Sequence, residues 1–189
     1  MRISLSQHIE KWKDCTRCHL HEGRLYTVFS RGKLPCDVLL CGEGPGESED
    51  SIGRPFCGPA GRKLDEILEY AIPQGITYAI TNLVLCIPRD EETGKTKEPD
   101  AKAVKACEPR LLEFIQIAQP KLIVCLGKAA EKYLQKKSAL QLRVPSTIDI
   151  VSTLHPSHII QAEEPAQPLL TKRVIVDIQT ALTKLGLGN

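Results

Sequence analysis

The strongest constraint on the fold is a regular alternation of short apolar segments with longer segments of helical periodicity. Apolar segments predict four strands, over residues 37–41, 78–85, 121–126 and 148–153. Between them, apolar residues recur three and four positions apart, as in Leu64, Ile67 and Leu68, which predicts amphipathic helices. We therefore predict an α/β fold, a three-layer sandwich in which a central, mostly parallel four-stranded sheet carries helices on both faces.

Length and composition fit one folded domain. The chain has 189 residues, of which 42% are hydrophobic and 25% charged, and this balance excludes a disordered or collagen-like chain. Its apolar segments are far shorter than the ~20 residues that span a bilayer, and the charged residues 1–12 do not resemble a signal peptide. We expect a single domain over residues 1–189 that is monomeric, cytoplasmic and not bound to a membrane.

Charge and cysteine content narrow the classes of function. The formal net charge of +2 does not by itself indicate a nucleic-acid binder. Eight cysteines in a chain without a secretory signal are poor disulfide candidates, because the cytosol keeps thiols reduced. Metal or cluster ligation is the competing explanation, and the Cys15-x-x-Cys18 pair admits zinc, an iron–sulfur cluster or a redox pair.

Three short motifs stand at or just after the ends of predicted strands. They are Gly42-Glu-Gly-Pro-Gly46, Thr81-Asn82 and His155-Pro-Ser157. Because the carboxyl ends of parallel strands meet at one edge of a sheet, we expect the motifs to converge. The glycine-rich motif suits close approach of backbone N–H groups to a ligand, although a plain tight turn is the alternative. Its glycines are not followed by the Lys-Ser/Thr of a phosphate-binding loop, nor by a third glycine at the offset that a dinucleotide-binding loop requires.

These motifs, taken with their neighbours, resemble the family 4 uracil-DNA glycosylases. The further matching segments are Glu49-Asp50, Gly53-Arg-Pro-Phe56, Gly58-Pro-Ala-Gly61 and Cys86, so that the resemblance runs from Cys15 to about Ile160. It implies a DNA repair enzyme that flips uracil out of DNA and hydrolyses its N-glycosidic bond, leaving an abasic site. The implied partner is uracil-containing DNA, either single- or double-stranded.

The resemblance also implies roles for individual residues in catalysis. His155 would donate a hydrogen bond to the uracil oxygen that gains charge as the bond breaks. Glu43 would position the attacking water or stabilise the cationic sugar. Gly44 occupies the place of the aspartate found in other uracil-DNA glycosylases, so a water held by the backbone is an alternative to a side-chain general base.

Substrate recognition is assigned to five residues. The resemblance implies that the substrate is bound by Gly42, Gly44, Gly46, Phe56 and Asn82. The Asn82 amide would read the uracil edge and Phe56 would stack on the base, whereas a strand-end residue and a core aromatic are the ordinary interpretations. Gly46 stands where related enzymes carry a bulky ring that excludes thymine, so that exclusion must come from elsewhere.

Two residues after the last predicted strand are candidates for contact with DNA. Ser157 would contact a phosphate. Ile159 resembles the apolar wedge that enters the base stack after the base is extruded, and a core residue at the start of a helix is the alternative.

The resemblance further implies a 4Fe-4S cluster. Its ligands would be Cys15, Cys18, Cys86 and Cys107. The interval between the last two is a little longer than is usual in the family, and the polar segment 90–97 accounts for the excess. The other four cysteines, which are Cys36, Cys41, Cys57 and Cys125, are expected to be mostly small buried hydrophobic residues.

Two other classes of function remain open from the sequence. One is a protein of the same superfamily that binds uracil in DNA without turnover. The other is a non-catalytic iron–sulfur or zinc DNA-binding module, which would not need Asn82 and His155 together. Release of free uracil distinguishes all three classes.

Overall fold

The structure, a computed structural model, describes residues 3–134 and 144–188. Its helices are α1 (Leu5–Trp12), α2 (Glu47–Ile52), α3 (Pro59–Ala71), α4 (Ala101–Ala118), α5 (Lys128–Leu134), α6 (Pro156–Gln161) and α7 (Ala166–Lys184). Its strands are β1 (Arg31–Gly32), β2 (Val38–Gly42), β3 (Tyr78–Asn82), β4 (Leu122–Leu126) and β5 (Asp149–Thr153). A short 3-10 turn covers His19–His21.

The strands form one mixed sheet in the order β1-β3-β2-β4-β5. The four predicted strands are confirmed and run parallel to one another. β1 is an addition that the sequence did not predict: it has two residues and pairs antiparallel with β3 at the sheet edge. The second strand was predicted to reach Leu85 but ends at Asn82, and the chain then leaves the sheet while remaining buried.

Helices cover both faces of the sheet, which confirms the three-layer prediction. Leu39 and Cys41 of β2 face a core shared with α1, α4 and α5. Val38 and Leu40 alternate with them and face a second core shared with α3, α6 and α7. Because both faces are buried, the central strands are apolar without interruption, as parallel strands generally are.

The helix termini follow local sequence signals. Ser4 begins α1 with a capping box to Gln7, and Asp100 caps α4 by accepting from the Ala103 N–H. α4 continues through Pro109 to Ala118, where Gln119 ends it in the left-handed conformation. Among the helices that the structure describes, none is long and apolar enough to cross a membrane.

Candidate active site

The carboxyl ends of β2, β3 and β5 bring the three predicted motifs together. Gly42 and Asn82 are register partners at the ends of β2 and β3, and His155 follows β5. The loop after β2 stays attached to the chain after β3, because the N–H groups of Leu83 and Val84 donate to the carbonyls of Gly42 and Glu43. A cavity of about 370 Å³ opens at this edge, and its wall includes Glu43, Gly44, Gly46, Glu49, Phe56, Asn82, His155 and Ser157.

Asn82 presents an unpaired amide to this cavity. The residue is only 1% exposed, and neither its Oδ1 nor its Nδ2 has a hydrogen-bond partner. Gly42 makes room for it, since a Cβ atom at Gly42 would lie 2.5 Å from Asn82 Oδ1 and 2.6 Å from Phe56 Cζ. Buried amide atoms are rarely left unpaired in folded proteins, so this group is available to a ligand.

Phe56 lies across the cavity in an uncommon backbone conformation. Its φ of 52° is in the left-handed region, which non-glycine residues seldom occupy. Gly61 permits this, because a Cβ at Gly61 would lie 1.8 Å from the Phe56 carbonyl oxygen. Arg31 of β1 holds the same loop by donating to the carbonyls of Pro55 and Phe56, at 3.0 and 3.3 Å. The aromatic face is therefore fixed by backbone contacts.

His155 caps α6 and stands beside Phe56, with 5.8 Å between ring centroids. Its Nδ1 accepts from the Ser157 N–H at 3.2 Å and lies 2.7 Å from Ser157 Oγ. Burial lowers the pKa of His155 to about 4, and the charge of Glu49 opposes this shift. The ring is therefore neutral at pH 7, and because Nδ1 accepts a backbone hydrogen bond, the proton resides on Nε2.

Glu43 also borders this cavity and is partly buried. Burial raises the pKa of its carboxyl group, a hydrogen bond from the Ala129 backbone at the start of α5 lowers it, and the charge of Glu98 raises it. Gly127 leaves the necessary space, because a Cβ there would lie 2.7 Å from Glu43 Oε1 and 3.0 Å from His155 Cβ. The carboxyl group and the imidazole thus border the same cavity.

Glu49 is a site residue to which the sequence analysis gave no role. One carboxylate oxygen accepts from the Gly46 N–H at 3.1 Å and the other from the Gly58 N–H at 2.9 Å. A Cβ atom at Gly46 would lie 2.9 Å from Glu49 Oε2, so this carboxylate occupies the space in front of that glycine. Glu49 therefore joins the glycine-rich loop to the loop that carries Phe56.

The two predicted DNA-contact residues have different outcomes. Ser157 borders the cavity, where its N–H and hydroxyl engage His155, and its phosphate contact stays a prediction. The wedge prediction for Ile159 is wrong in this structure, because its side chain is 0% exposed and packs in the core shared by α3, α6 and α7. The next residue on α6, Ile160, is 38% exposed.

The four predicted cluster ligands border a second, separate cavity. Cys15 and Cys18 follow α1, Cys86 lies in the buried segment after β3, and Cys107 is on α4. Arg24 donates to Cys86 Sγ at 3.3 Å and to the Cys15 carbonyl at 2.6 Å.

Burial raises the pKa of Cys86 to about 11, and the Arg24 hydrogen bond opposes this shift. Within residues 3–134 and 144–188, no group of three His, Cys, Asp or Glu side chains has the arrangement of a metal-ion site. The donor set nevertheless fits a cluster, since four thiols from three distant segments face one cavity.

The remaining cysteines mostly behave as small hydrophobic residues. Cys36, Cys41 and Cys125 are buried, and burial raises the pKa of Cys36 and Cys41 to about 12. Cys57, next to Phe56, is instead partly exposed. All eight cysteines lie among the described residues, and none of them forms a disulfide bond.

Comparison with known proteins connects this geometry to a family. The model of the Uracil DNA glycosylase superfamily matches residues 29–179. The type-4 uracil-DNA glycosylase of Thermotoga maritima is 36% identical over 182 residues, which cover 91% of this chain and 90% of that protein. The enzyme of the same name from Pyrobaculum aerophilum is 37% identical over 135 residues, covering 71% of this chain and 66% of that protein.

A solved structure shares the fold. The crystal structure of wild-type Pedobacter heparinus SMUG2 matches with a TM-score of 0.56 at 18% sequence identity, covering 80% of this chain and 76% of that chain. At this identity the likeness supports the three-layer α/β architecture alone.

Proposed function

The chain belongs to the uracil DNA glycosylase superfamily, and on that premise we propose that it excises uracil from DNA by hydrolysing the N-glycosidic bond. The observation that carries this proposal is the Asn82 amide, which is 1% exposed and has no partner on either polar atom. Leaving buried polar atoms unpaired costs free energy, and a ligand edge that offers one donor and one acceptor removes that cost.

Uracil offers these two groups in one order along its edge, and cytosine offers them in the opposite order. The carbonyl of Asn82 accepts from the imide N–H of uracil, and its amide N–H donates to the neighbouring carbonyl. In cytosine the donor and acceptor are exchanged, so an Asn82 amide that keeps the orientation suited to uracil would lose both hydrogen bonds. Phe56 supports a flipped base by stacking, for which its ring at the cavity wall is suited.

Glu49 is our candidate for the exclusion of thymine. The resemblance to the family implies that Gly46 leaves open the space that a bulky ring fills in related enzymes. In this chain the Glu49 carboxylate lies in that space, anchored by the N–H groups of Gly46 and Gly58. A methyl group on the base would displace an anchored carboxylate and disrupt its hydrogen bonds, which favours uracil.

Bond cleavage divides between His155 and Glu43. As the bond between the base nitrogen and the sugar carbon breaks, the uracil oxygen gains negative charge, and His155 Nε2–H donates to it. Glu43 stabilises the cationic sugar or orients a water molecule, whose oxygen bonds to the sugar carbon and whose proton is released. The carboxyl and the imidazole border one cavity, as this division of roles requires.

We assign the second cavity to a 4Fe-4S cluster held by Cys15, Cys18, Cys86 and Cys107. When bound, the cluster would supply iron–thiolate bonds that tie the N-terminal segment and α4 to the segment after β3. Hydrolysis of the N-glycosidic bond needs no electron transfer, so the residues of the base cavity carry the reaction.

For the whole molecule we propose a single-domain monomer that works in the cytoplasm. Eight cysteines that form no disulfide bond suit a reducing compartment. Sedimentation of the purified protein at several concentrations tests the monomeric state.

The test of the activity is release of free uracil from defined DNA. The protein is incubated with single- and double-stranded oligonucleotides that carry one uracil, and the released base is quantified by mass spectrometry. Matched oligonucleotides with cytosine or thymine at the same position serve as controls. We expect uracil release from the first set alone.

Other outcomes identify the other classes of protein. Tight retention of uracil-DNA without release of the base would indicate a non-turnover binder. Equal binding of all oligonucleotides without release would indicate a DNA-binding module. Asn82→Ala should both slow uracil release and weaken discrimination against cytosine, because it removes the pairing groups while Phe56 still stacks.

A further inference from the structure

Arg110 is a buried cation that donates hydrogen bonds to the backbone at the end of β3, next to the cavity that Asn82 and His155 border. The residue is 1% exposed and lies on α4. Its Nη2 donates to the carbonyls of Asn82 and Leu83, at 2.7 and 2.8 Å, and its Nη1 to Thr81 Oγ1 at 3.3 Å. All three acceptors are neutral, and among the residues the structure describes Arg110 forms no ion pair with a carboxylate.

The same side chain borders the cysteine cavity. Arg110 lines its wall together with the four cysteines, and it follows Cys107 by three positions on α4, which places both on one side of the helix. A buried charge is stable only when it is compensated, and the hydrogen bonds of Arg110 involve carbonyl and hydroxyl oxygens alone. A cluster bound at the four cysteines would hold them as thiolates, and these would place negative charge beside the guanidinium.

Asn82 depends on its backbone for its direction. Both polar atoms of its side chain lack partners, so no hydrogen bond holds the amide before a ligand arrives. The backbone hydrogen bonds at the end of β3, including those from Arg110, are therefore what aim this amide into the cavity.

We propose that Arg110 is a positioning residue that couples the cysteine cavity to Asn82. One side of the guanidinium compensates the thiolates, and its N–H groups fix the carbonyls at Asn82 and Leu83. The role of Asn82 in reading uracil rests on the proposed function, whereas the link between Arg110 and the Asn82 backbone does not. The proposal predicts that a change at Arg110 alters both iron retention and base recognition.

The experiment compares three variants of the full-length protein purified with its iron. Arg110→Met removes the charge and the donors, and Arg110→Lys keeps the charge without the planar fork that spans two carbonyls. Arg24→Met is the matched control, because Arg24 also contacts a thiol but donates to Cys15 and Cys86 and not to Asn82. For each variant we measure the rate of iron loss to a chelator, the inhibition constant of free uracil, and the melting temperature.

The expected results separate charge from geometry. Arg110→Met should lose iron faster and raise the inhibition constant of uracil by about tenfold or more, the value of a hydrogen bond to a charged group. Arg110→Lys should restore iron retention and leave uracil inhibition intermediate. Arg24→Met should lose iron faster than the parent protein. Its inhibition constant for free uracil should stay within about twofold of the parental value, because Arg110 still donates to the Asn82 carbonyl.

Two results would overturn the proposal. The first is an Arg110→Met protein that folds and is inhibited by free uracil with the same inhibition constant as the parent protein. The second is an Arg24→Met protein that weakens uracil inhibition as much as Arg110→Met, because the effect would then arise from the cysteine cavity in general. If Arg110→Met does not fold, Arg110→Lys takes its place in both comparisons. An Arg110→Lys protein with the parental inhibition constant for free uracil would then overturn the proposal.

Failure of the proposed function can be told apart from failure of this proposal. If the parent protein releases no uracil, the Asn82 side-chain amide is followed directly by NMR, with its signal assigned by its loss in Asn82→Ala. A shift of that signal in Arg110→Lys but not in Arg24→Met would still support the coupling. An unshifted signal in Arg110→Lys would refute it.

Discussion

Replacement of His155 by alanine tests the central electrostatic argument of the site. The Nδ1 of the ring accepts a hydrogen bond from the Ser157 backbone, and because burial lowers the pKa of His155 to about 4, the ring is neutral at pH 7. The donor lost in His155→Ala is therefore a single neutral N–H directed at an oxygen that gains charge only in the transition state. Removal of one such donor costs ~2.7–4 kcal/mol, or about a hundredfold to a thousandfold in rate.

The assay is single-turnover uracil release with enzyme in excess over uracil-DNA. The plateau rate reports the chemical step, and the half-saturating enzyme concentration reports binding. We expect His155→Ala to lower the plateau rate within the stated range with little change in half-saturation. Ser157→Ala is the matched control, because it removes the hydroxyl partner of Nδ1 but keeps the backbone N–H, and it should cost about tenfold or less. A full plateau rate combined with weakened binding in His155→Ala would refute the assigned role.

Three further predictions follow from the same structure. Burial lowers the pKa of His155 from 6.5 to about 4. Between pH 6.5 and pH 4 this histidine therefore binds a proton in the unfolded chain but not in the folded chain. The folded state should lose stability as the pH falls through that range. Urea unfolding at pH 7 and pH 4.5 should show a smaller loss in His155→Gln, and an equal loss would contradict the assignment. Protein purified without oxygen should be brown and contain iron and sulfide. Cys86→Ser should lose iron, whereas Cys125→Ser should keep it. A colourless parent protein that contains stoichiometric zinc would exclude the cluster. Gly61→Ala should destabilise the fold by about 1–3 kcal/mol and slow uracil release, because its Cβ would lie 1.8 Å from a backbone oxygen. Gly23→Ala should leave the melting temperature unchanged, because its Cβ would make only an ordinary contact with Arg89 Cδ, at 4.0 Å.

The fold was predictable where burial leaves a clear mark on the sequence. β2 and β4 are buried on both faces, so their apolar residues identify them without ambiguity. β3 was predicted too long because Leu83, Val84 and Leu85 remain buried after the chain leaves the sheet, and hydrophobicity does not reveal where strand pairing ends. β1 was missed because two residues are too few to form a pattern.

The site was predictable only in part, for a similar reason. The motif residues Gly42, Asn82 and His155 lie at strand ends, and parallel topology brings such positions together. Arg31 and Arg110 were missed because they bond to backbone atoms of distant segments, which no spacing rule identifies. Glu49 lies three residues after Gly46, a capping-box spacing that could have indicated its contact with the Gly46 N–H. The position of Ile159 depended on which side of a six-residue helix faces the core, and so short a helix shows no clear periodicity.

The central place of β2 in the sheet has a consequence for how the protein opens. Parallel neighbours flank this strand on both sides and all five of its residues are buried, so its amides should exchange with solvent only when the whole domain unfolds. The glycine-rich loop follows directly after this strand, whose amides exchange slowly. Residues 3–30 contribute no strand to the sheet. They contact the rest of the domain through α1, whose Trp12 packs against α4, and through the Leu25 and Tyr26 N–H groups, which donate to Asp50. Deuterium uptake should therefore begin in that segment. Its opening would separate Cys15 and Cys18 from the rest of the cysteine cavity while the glycine-rich loop keeps its structure.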